Sequence, residues 1–586
     1  MTSVEPEQMK PQLTEHTMLL DPPSSSEQAI DDYDYEDNDN EDSDNEDDIR
    51  QVLDDHRAHH LTLAWHARPT VGIICFSVLI YFMQESVGLS SSVVLLLRML
   101  CKYSQSNDDS ISTCSDPKVQ VFVSSVQMRM LLLGGALSCA MSGKLGGLSD
   151  RIGRRKVLIY CGVCSLMGRL FLLYIVRPNA TYSPLLIIFA AIFNGLAGGN
   201  VVLLSLASSY ITDIVESKKR TRALGFVMGS FYAGMGAGPL LGSYIVRATG
   251  DPRLSLWTGV GFASLFLLLM IFIAESRPTL LRTRSQSMHL ARKASFASQR
   301  SGAHSIAHRA AYSVVDVFKP LKLLWLPRHK TLGFTPRFNV MMLVLVECCL
   351  FFTGVSMGGV VVLYSTANYN LTSEMLGYYI SLVGTSKTIV LYTVSPACLY
   401  LLKRLFNQHT HAPDWIDFCL LLFGSINELL SPFIVYKSGS MAGVYASAIF
   451  GALGAFVTPT VSSTIMKYYS DGKSGEVFGA LSVLKNILAM IGPSGGLFIY
   501  SCTVSYDPKF VFLFLAGVVC IGIIASICLR IHEDASITGF IKPRTSSISS
   551  LGDEAADSVP ASPMRVYDAV RRGSAGGVSP RDPVSF

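Results

Sequence analysis

The sequence predicts an all-α integral membrane protein in which twelve transmembrane helices form two six-helix bundles. Three observations carry that expectation: long apolar runs recur along the chain, basic residues concentrate in alternate connections between them, and the second half repeats small-residue motifs of the first. Of 586 residues, 49% are hydrophobic and 16% charged, whereas a soluble domain carries about a quarter charged residues. Residues 1–50 hold 17 Asp and Glu against Lys10 and Arg50, which leaves 46 basic and 27 acidic residues for the remainder. That basic excess lies between apolar runs, so a lipid bilayer is the expected partner and nucleic acid is not.

Crossing about 30 Å of hydrocarbon takes about 20 mostly apolar helical residues. Runs of that kind cover 70–89, 121–142, 157–176, 185–206, 223–246 and 255–274, then 338–364, 374–395, 416–436, 440–467, 475–500 and 510–530. Barrel strands would alternate apolar and polar residues, but Leu185–Ala191 and Val511–Ala525 are continuously apolar. Residues 1–50 are polar and acidic, so no cleavable signal peptide is expected ahead of the first run.

The runs set the domain expectation: a disordered acidic cytosolic tail over 1–67, a six-helix bundle over 68–274, a cytosolic central loop over 275–336, a second six-helix bundle over 337–530, and a disordered cytosolic tail over 531–586. Asp31–Asp48 has twelve acidic residues in eighteen and nothing apolar to bury, which predicts disorder. The central loop scatters Arg282, Arg284, Arg292, Lys293, Arg300 and Arg309 among Ser, Ala and His and reads as a tether.

A shift of 254 positions superimposes the halves without a gap. It pairs Ser208 with Ser462, Ile211 with Ile465, Lys219 with Lys473, Gly225 with Gly479, Gly238-Pro239 with Gly492-Pro493, and Gly242 with Gly496. Parallel six-helix repeats related by an axis along the membrane normal are a transporter construction. Basic residues follow the even-numbered runs, with Lys144, Arg151, Arg154, Arg155 and Lys156 after the second and Lys218, Lys219, Arg220 and Arg222 after the fourth. Even connections and both termini are therefore expected in the cytosol. The glycosylation sequons at Asn179 and Asn370 fall in connections assigned to the opposite side.

Between the second and third runs stands Gly146-Gly-Leu-Ser-Asp150-Arg151-Ile-Gly153-Arg154-Arg155. The glycines permit a tight turn and close helix approach, and Asp150 can accept bonds from a neighbouring helix N-terminus or a basic side chain. This string resembles the signature loop G-x-x-x-D-R-x-G-R-R of the major facilitator superfamily, at the family's own position. In the fifth run, Gly234-x-x-x-Gly238-Pro239-x-x-Gly242 resembles the fifth-helix motif of that family's drug and proton antiporter branch. Two departures accompany it: Ala191 stands where that branch has an Arg before Asn194-Gly195, and Leu401-Leu-Lys403-Arg404 lacks the glycine and aspartate of the repeated loop. The pattern over 68 to about 530 looks most like fungal members related to tetracycline-resistance-type exporters.

Ionisable residues inside the runs are Glu85, Arg129, Arg169, Glu347, Lys387, Glu428 and Lys485. Each is unfavourable in hydrocarbon unless it is paired or faces water. The resemblance implies that Glu347, Lys387 and Lys485 lie on helices lining the central cavity and that Arg169 and Glu428 are structural. Glu347 is the expected carrier of a coupling proton, with Glu85 second. Glu85 and Arg129 are expected to pair, with Asn194, Tyr364 and Asn486 as neighbours of the site. Cys101 and Cys114 flank the first outward connection and are a disulfide candidate. His59-His60 lacks companion ligands at metal spacing and reads as a solvated pair. Glu15, Leu19 and Leu20 fit an acidic dileucine signal for a sorting adaptor.

These observations and the resemblance imply a secondary active transporter of a small organic solute rather than an enzyme. No phosphate-cradling loop points to ATP hydrolysis, and neither cofactor nor metal is expected. Proton-coupled export or sequestration by a monomer in a vacuolar or lysosome-like membrane is the leading expectation. A nutrient uniporter or symporter, and a non-transporting receptor or scaffold on the same fold, are the alternatives.

Overall fold

The computed structural model describes residues 39–63, 68–107, 117–177, 184–299, 318–329, 332–369, 373–406, 412–469, 471–503, 506–531 and 540–541. The N-terminal half runs through α1 (Asp39–Thr62), α2 (Val71–Val87), α3 (Leu89–Asn107), α4 (Pro117–Ile152), α5 (Arg154–Ile175), α6 (Pro184–Leu196), α7 (Gly199–Ile214), α8 (Ser217–Thr249), α9 (Pro252–Phe272) and α10 (Thr279–Gln299). The C-terminal half comprises α11 (Thr335–Tyr369), α12 (Ser373–Ile389), α13 (Ser395–Leu405), α14 (Trp415–Lys437), α15 (Met441–Ala452), α16 (Val457–Met466), α17 (Ser474–Thr503) and α18 (Phe510–Ile527). The only strands among the described residues are β1 (Arg328–His329) and β2 (Phe540–Ile541), paired antiparallel.

Among the described residues, eleven helical stretches are long and apolar enough to cross a membrane, and α2 is a shorter apolar helix beside them. Three of the eleven join two helices: Leu185–Ile214 spans α6 and α7, Gly377–Leu405 spans α12 and α13, and Met441–Met466 spans α15 and α16. The break between α6 and α7 falls at Gly198 and Gly199, with φ of 77° and 68°, a backbone region that glycine enters without steric penalty. In the other half α15 and α16 are separated by a 3₁₀ turn over Leu453–Phe456. That turn begins 254 residues after Gly199, so the repeat extends to the position of the helix break.

Each half has its own apolar core. In the N-terminal half one cluster holds Tyr81, Phe82, Leu206, Tyr210 and Phe266, and a second holds Met99, Leu100, Ile175 and Leu256. In the C-terminal half Val340, Val461, Ile465 and Val519 form one cluster, with Val360, Tyr364, Phe512 and Leu515 in another. The motif glycines let helices touch. Within the first half, Gly234, Gly238 and Gly242 of α8 lie directly on Leu79, Ser86 and Val87 of α2, and Ser86 Oγ donates to the Gly234 carbonyl at 3.0 Å. The second half repeats this between α17 and α11, where Ser356 Oγ donates to the Gly492 carbonyl at 2.7 Å. The halves meet along α4 against α17 and α8 against α12.

Three connections depart from expectation. The acidic stretch is helical from Asp39 onward, so disorder does not extend to Asp48. The connection after α2 is the helix α3, whose Leu95, Leu96, Met99 and Leu100 reach the core. The central connection is no plain tether, because α10 occupies Thr279–Gln299 and buries Leu281. In α1 and α3 a few apolar residues spaced for one helix face hold a segment that composition alone reads as polar, and in α10 Leu281 is the one buried side chain among those described.

Candidate functional site: a gate between the halves

The signature loop forms a buried charge cluster. α4 ends at Ile152, Gly153 turns the chain at a φ of 105°, and α5 starts at Arg154. The new helix has unsatisfied N–H groups, and Glu275 takes two of them: Arg154 N–H donates to Glu275 Oε1 at 2.8 Å and Arg155 N–H to Oε2 at 3.2 Å. A side chain at position 153 would strike that carboxylate, which explains the glycine.

Arg154 is fully buried. Its guanidinium meets Asp213 Oδ2 at 3.0 Å, Asp150 Oδ1 at 2.7 Å and Ser474 Oγ at 2.7 Å, and it also donates to Ser149. Asp150, 2% exposed, accepts from Arg277 Nη1 at 2.8 Å and from the backbone N–H groups of Gly475 at 3.3 Å and Glu476 at 2.9 Å. Those last two belong to the first turn of α17, whose N-terminal dipole favours a carboxylate. Asp213 also accepts from Ser474 Oγ at 3.2 Å and Ser276 Oγ at 3.1 Å. Arg277 Nη2 reaches the Gly472 carbonyl at 2.6 Å. Four charged side chains, Asp150, Arg154, Asp213 and Arg277, are thus held between the halves by one another and by groups at the start of α17 and just before it. Buried charges persist only when paired in this way, and losing one partner costs about 3–5 kcal/mol.

Further bonds join the halves at this end. Thr221 Oγ1 lies 2.8 Å from Ser463 Oγ, and Lys403 Nζ donates to the Lys218 carbonyl at 2.8 Å. Gly146 abuts Gly475 and Gly479 so closely that a Cβ would come within 2.5 Å of the Gly475 carbonyl. Outside the membrane-spanning helices, α1 seats on the same cluster. Arg57 donates to the Asp213 carbonyl at 3.2 Å and the Thr212 carbonyl at 3.1 Å, and Leu53 is buried. His60 is buried as well, with its ring nitrogen 2.9 Å from that of His56, so the expectation of a solvated histidine pair is corrected.

Deeper along the helices, Glu347 of α11 and Lys485 of α17 form an ion pair at 2.5 Å. Both sit about 16–18 Å from the starts of their helices at 1.5 Å per residue. Neither Glu347 carboxylate oxygen has a hydrogen-bond partner besides that contact. Lys387 of α12 lies over the Tyr232 ring of α8 at 5.0 Å, and thus faces the opposite half. Glu428, read as structural, is within electrostatic reach of Lys387. Ser230 and Tyr392 hydroxyls meet at 2.6 Å across the halves, and Asn486 Nδ2 donates to the Gly198 carbonyl at 3.5 Å.

One expected pair is corrected. Glu85 binds Arg169 of α5 at 2.6 Å, not Arg129, which is exposed on α4. The α2 residues around Glu85 face α5, as the Gln84–Ser165 hydrogen bond of 2.9 Å confirms. Tyr364 packs in a C-terminal core cluster beside Tyr369 and Phe512, and Asn194 is exposed on α6, so neither joins the Glu347 pair. Cys101 is disulfide-bonded, and eleven other cysteines are free thiols. Cys114, Asn179, Asn370, Glu15, Leu19 and Leu20 lie outside the described residues. Asp213, Glu275, Arg277 and Ser474 join the signature-loop cluster without being among the residues the sequence singles out. Asp213 carries one legible signal, since the repeat places Lys467 opposite it in an alignment of 201–215 with 455–469 that is otherwise uncharged.

Comparison with known proteins agrees with this fold. A membrane protein of Saccharomyces cerevisiae described as uncharacterized is 29% identical over 486 residues, covering 81% of this chain and 87% of the yeast protein. The class H tetracycline resistance protein of Pasteurella multocida is 21% identical, covering 64% of this chain and 80% of its own. The crystal structure of the human organic anion transporter MFSD10 (TETRAN) superimposes with a TM-score of 0.57 at 16% identity, covering 78% of this chain and 98% of that one. The Major Facilitator Superfamily profile matches residues 70–493, most of the chain, and the protein belongs to that superfamily.

Proposed function

We propose that the protein is a proton-coupled secondary transporter that exports or sequesters a small organic solute by alternating access. The Glu347–Lys485 pair carries the reading. A buried carboxylate with a single cationic partner and no other bond can exchange that one contact for a proton, with its lysine released. Protonation of Glu347 frees Lys485 for an anionic or hydrogen-bonding group of the solute, and solute departure restores the pair. Coupling requires that the two protonation states favour different conformations, and the cross-half cluster around Asp150 supplies one of them: closed at the signature-loop end, which basic residues assign to the cytosol. Similarity to tetracycline resistance proteins and to a human organic anion transporter supports an organic solute. The dileucine pattern at Glu15, Leu19 and Leu20 supports a vacuolar or lysosome-like membrane.

Metabolite profiling of vesicles from overexpressing and deletion strains, under an imposed pH gradient, identifies the accumulated solute. Glu347→Gln is expected to keep solute exchange and to lose gradient-driven accumulation. Accumulation equal to the parent would make Glu347 a structural residue.

A further inference from the structure

Beside the gate cluster, at the same end of the spanning helices, lies a cleft walled by both halves and by α1. The N-terminal half contributes Arg151 at the end of α4, Arg277, and Arg284 of α10; the C-terminal half contributes Lys473 and Glu476. Arg277 and the nearby Asp150 neutralise each other through their 2.8 Å bond. Three cations, Arg151, Arg284 and Lys473, then face one carboxylate, Glu476, and none of the three forms an ion pair among the described residues.

Arg277 adds a second, independent sign. It is 3% exposed, and its two Nη groups are satisfied by Asp150 and the Gly472 carbonyl. Its Nε–H has no acceptor. A buried donor without an acceptor costs about 1–3 kcal/mol unless a ligand supplies one. The side chain that α1 brings to the wall is Ile49, which offers no charge.

Closure of the gate therefore gathers like charges from opposite halves around an unfilled donor. Without a counter-ion their repulsion opposes closure; with one, the same charges become a clamp. We propose that this cleft binds a phosphate group, held by Arg151, Arg284 and Lys473 with the Arg277 Nε–H as a further donor, and that its binding stabilises the closed gate. A phosphate fits because it presents several oxygens to donors converging from different directions, and guanidinium groups match its geometry. The cleft opens where the spanning helices end, so a lipid headgroup and a soluble phosphate compound can both reach it. This site is separate from Glu347 and stands whether or not that residue carries a proton.

The test uses the full chain in phosphatidylcholine nanodiscs with Thr221→Cys and Ser463→Cys, whose hydroxyls lie 2.8 Å apart, as a cross-linking report of closure. Inositol hexakisphosphate and inorganic phosphate are added as soluble probes, and a second preparation includes phosphatidylinositol 4-phosphate in the disc. Expected are faster cross-linking and a raised melting temperature with phosphate, and an apparent Kd at least about tenfold weaker in Arg284→Ala/Lys473→Ala. The charge-conserving Arg284→Lys/Lys473→Arg variant is expected to retain the response, which separates lost binding from lost folding. A response to the soluble probes assigns a soluble ligand; one confined to the phosphoinositide disc assigns a headgroup. No phosphate response in the parent, an equal response in the alanine variant, or a response that appears only after the acidic residues of 31–48 are replaced would overturn the proposal. The last outcome would give the cleft to the chain's own acidic segment.

Discussion

In the N-terminal half, Asp213 just before the end of α7 receives Arg154 from the start of α5 at 3.0 Å. In the C-terminal half, 254 residues later, Lys467 just after α16 receives Asp417 at 2.7 Å and Asp414 at 3.3 Å from the start of α14. The two clusters occupy the same place in the repeat with the signs exchanged. They differ in where their remaining bonds go. Arg154 and Asp213 both reach Ser474 of the opposite half, whereas Lys467 spends its third bond on the Ala412 carbonyl of its own half, at 3.2 Å. Asp414 and Asp417 also cap α14 reciprocally, which fixes them to one helix. The same kind of buried ion pair thus ties the two halves together where its partners cross the interface and ties one half to itself where they do not.

The largest effect expected from that contrast is on stability. Burial disfavours the Lys467 ammonium, but Asp417 and Asp414 together override it and hold its pKa above the usual lysine value. Lys467→Ala leaves two buried carboxylates without their cation and should destabilise the C-terminal half by about 3–5 kcal/mol, read as a lower melting temperature and a lower yield of folded protein. A variant with parental melting behaviour but slowed transport would break the comparison, because the second cluster would then be a gate as well.

Asp150→Ala should do the reverse. It removes the acceptor for Arg277 and for two N–H groups of α17, while Arg154 keeps Asp213, Ser149 and Ser474. Each charged hydrogen bond lost across the halves is worth about 1.5–3 kcal/mol, so the closed population should fall about tenfold or more with little change in protein level. Transport should slow accordingly, and the Thr221→Cys/Ser463→Cys cross-link should form more slowly. Parental turnover would reduce the loop to a determinant of orientation.

What could be read in advance follows from sequence distance. Apolar runs and the signature loop are local, so the spans, the position of Asp150 and the glycine turn were legible. The repeat was legible too, because Gly-Pro-x-x-Gly is rare enough to align without gaps. Asp150 meets its bonding partners Arg277 and Gly475 across 127 and 325 residues, and no local pattern carries such a meeting. The choice of Arg169 over Arg129 for Glu85 depended on which face α2 turns toward α5. That face is set by packing of Gly234, Gly238 and Gly242 on the other side of α2 and not by the charge pattern. The helix α10 was missed because its anchoring face amounts to little more than Leu281.

A smaller effect would sharpen the comparison, since only the N-terminal cluster carries α1. Burial, and then the neighbouring His60, lower the pKa of His56 from about 6.5 to about 4, with His59 and Arg57 acting the same way and Asp213 of α7 opposing them. The seated helix therefore keeps His56 neutral, while the released helix protonates it as pH falls through about 6.5. Seating is independent of pH above that value, weakens steadily as pH drops toward about 4, and is pH-independent again below it. His60, also lowered by burial, adds to the same trend. Hydrogen exchange of residues 49–62 should show protection at neutral pH that is lost on acidification to about 5. His56→Gln should flatten that dependence, and Arg57→Ala should reduce protection at every pH by removing the bonds to the Thr212 and Asp213 carbonyls. Protection that rises on acidification would mean that α1 is held by its charge on Asp213 and not by burial of a neutral histidine pair.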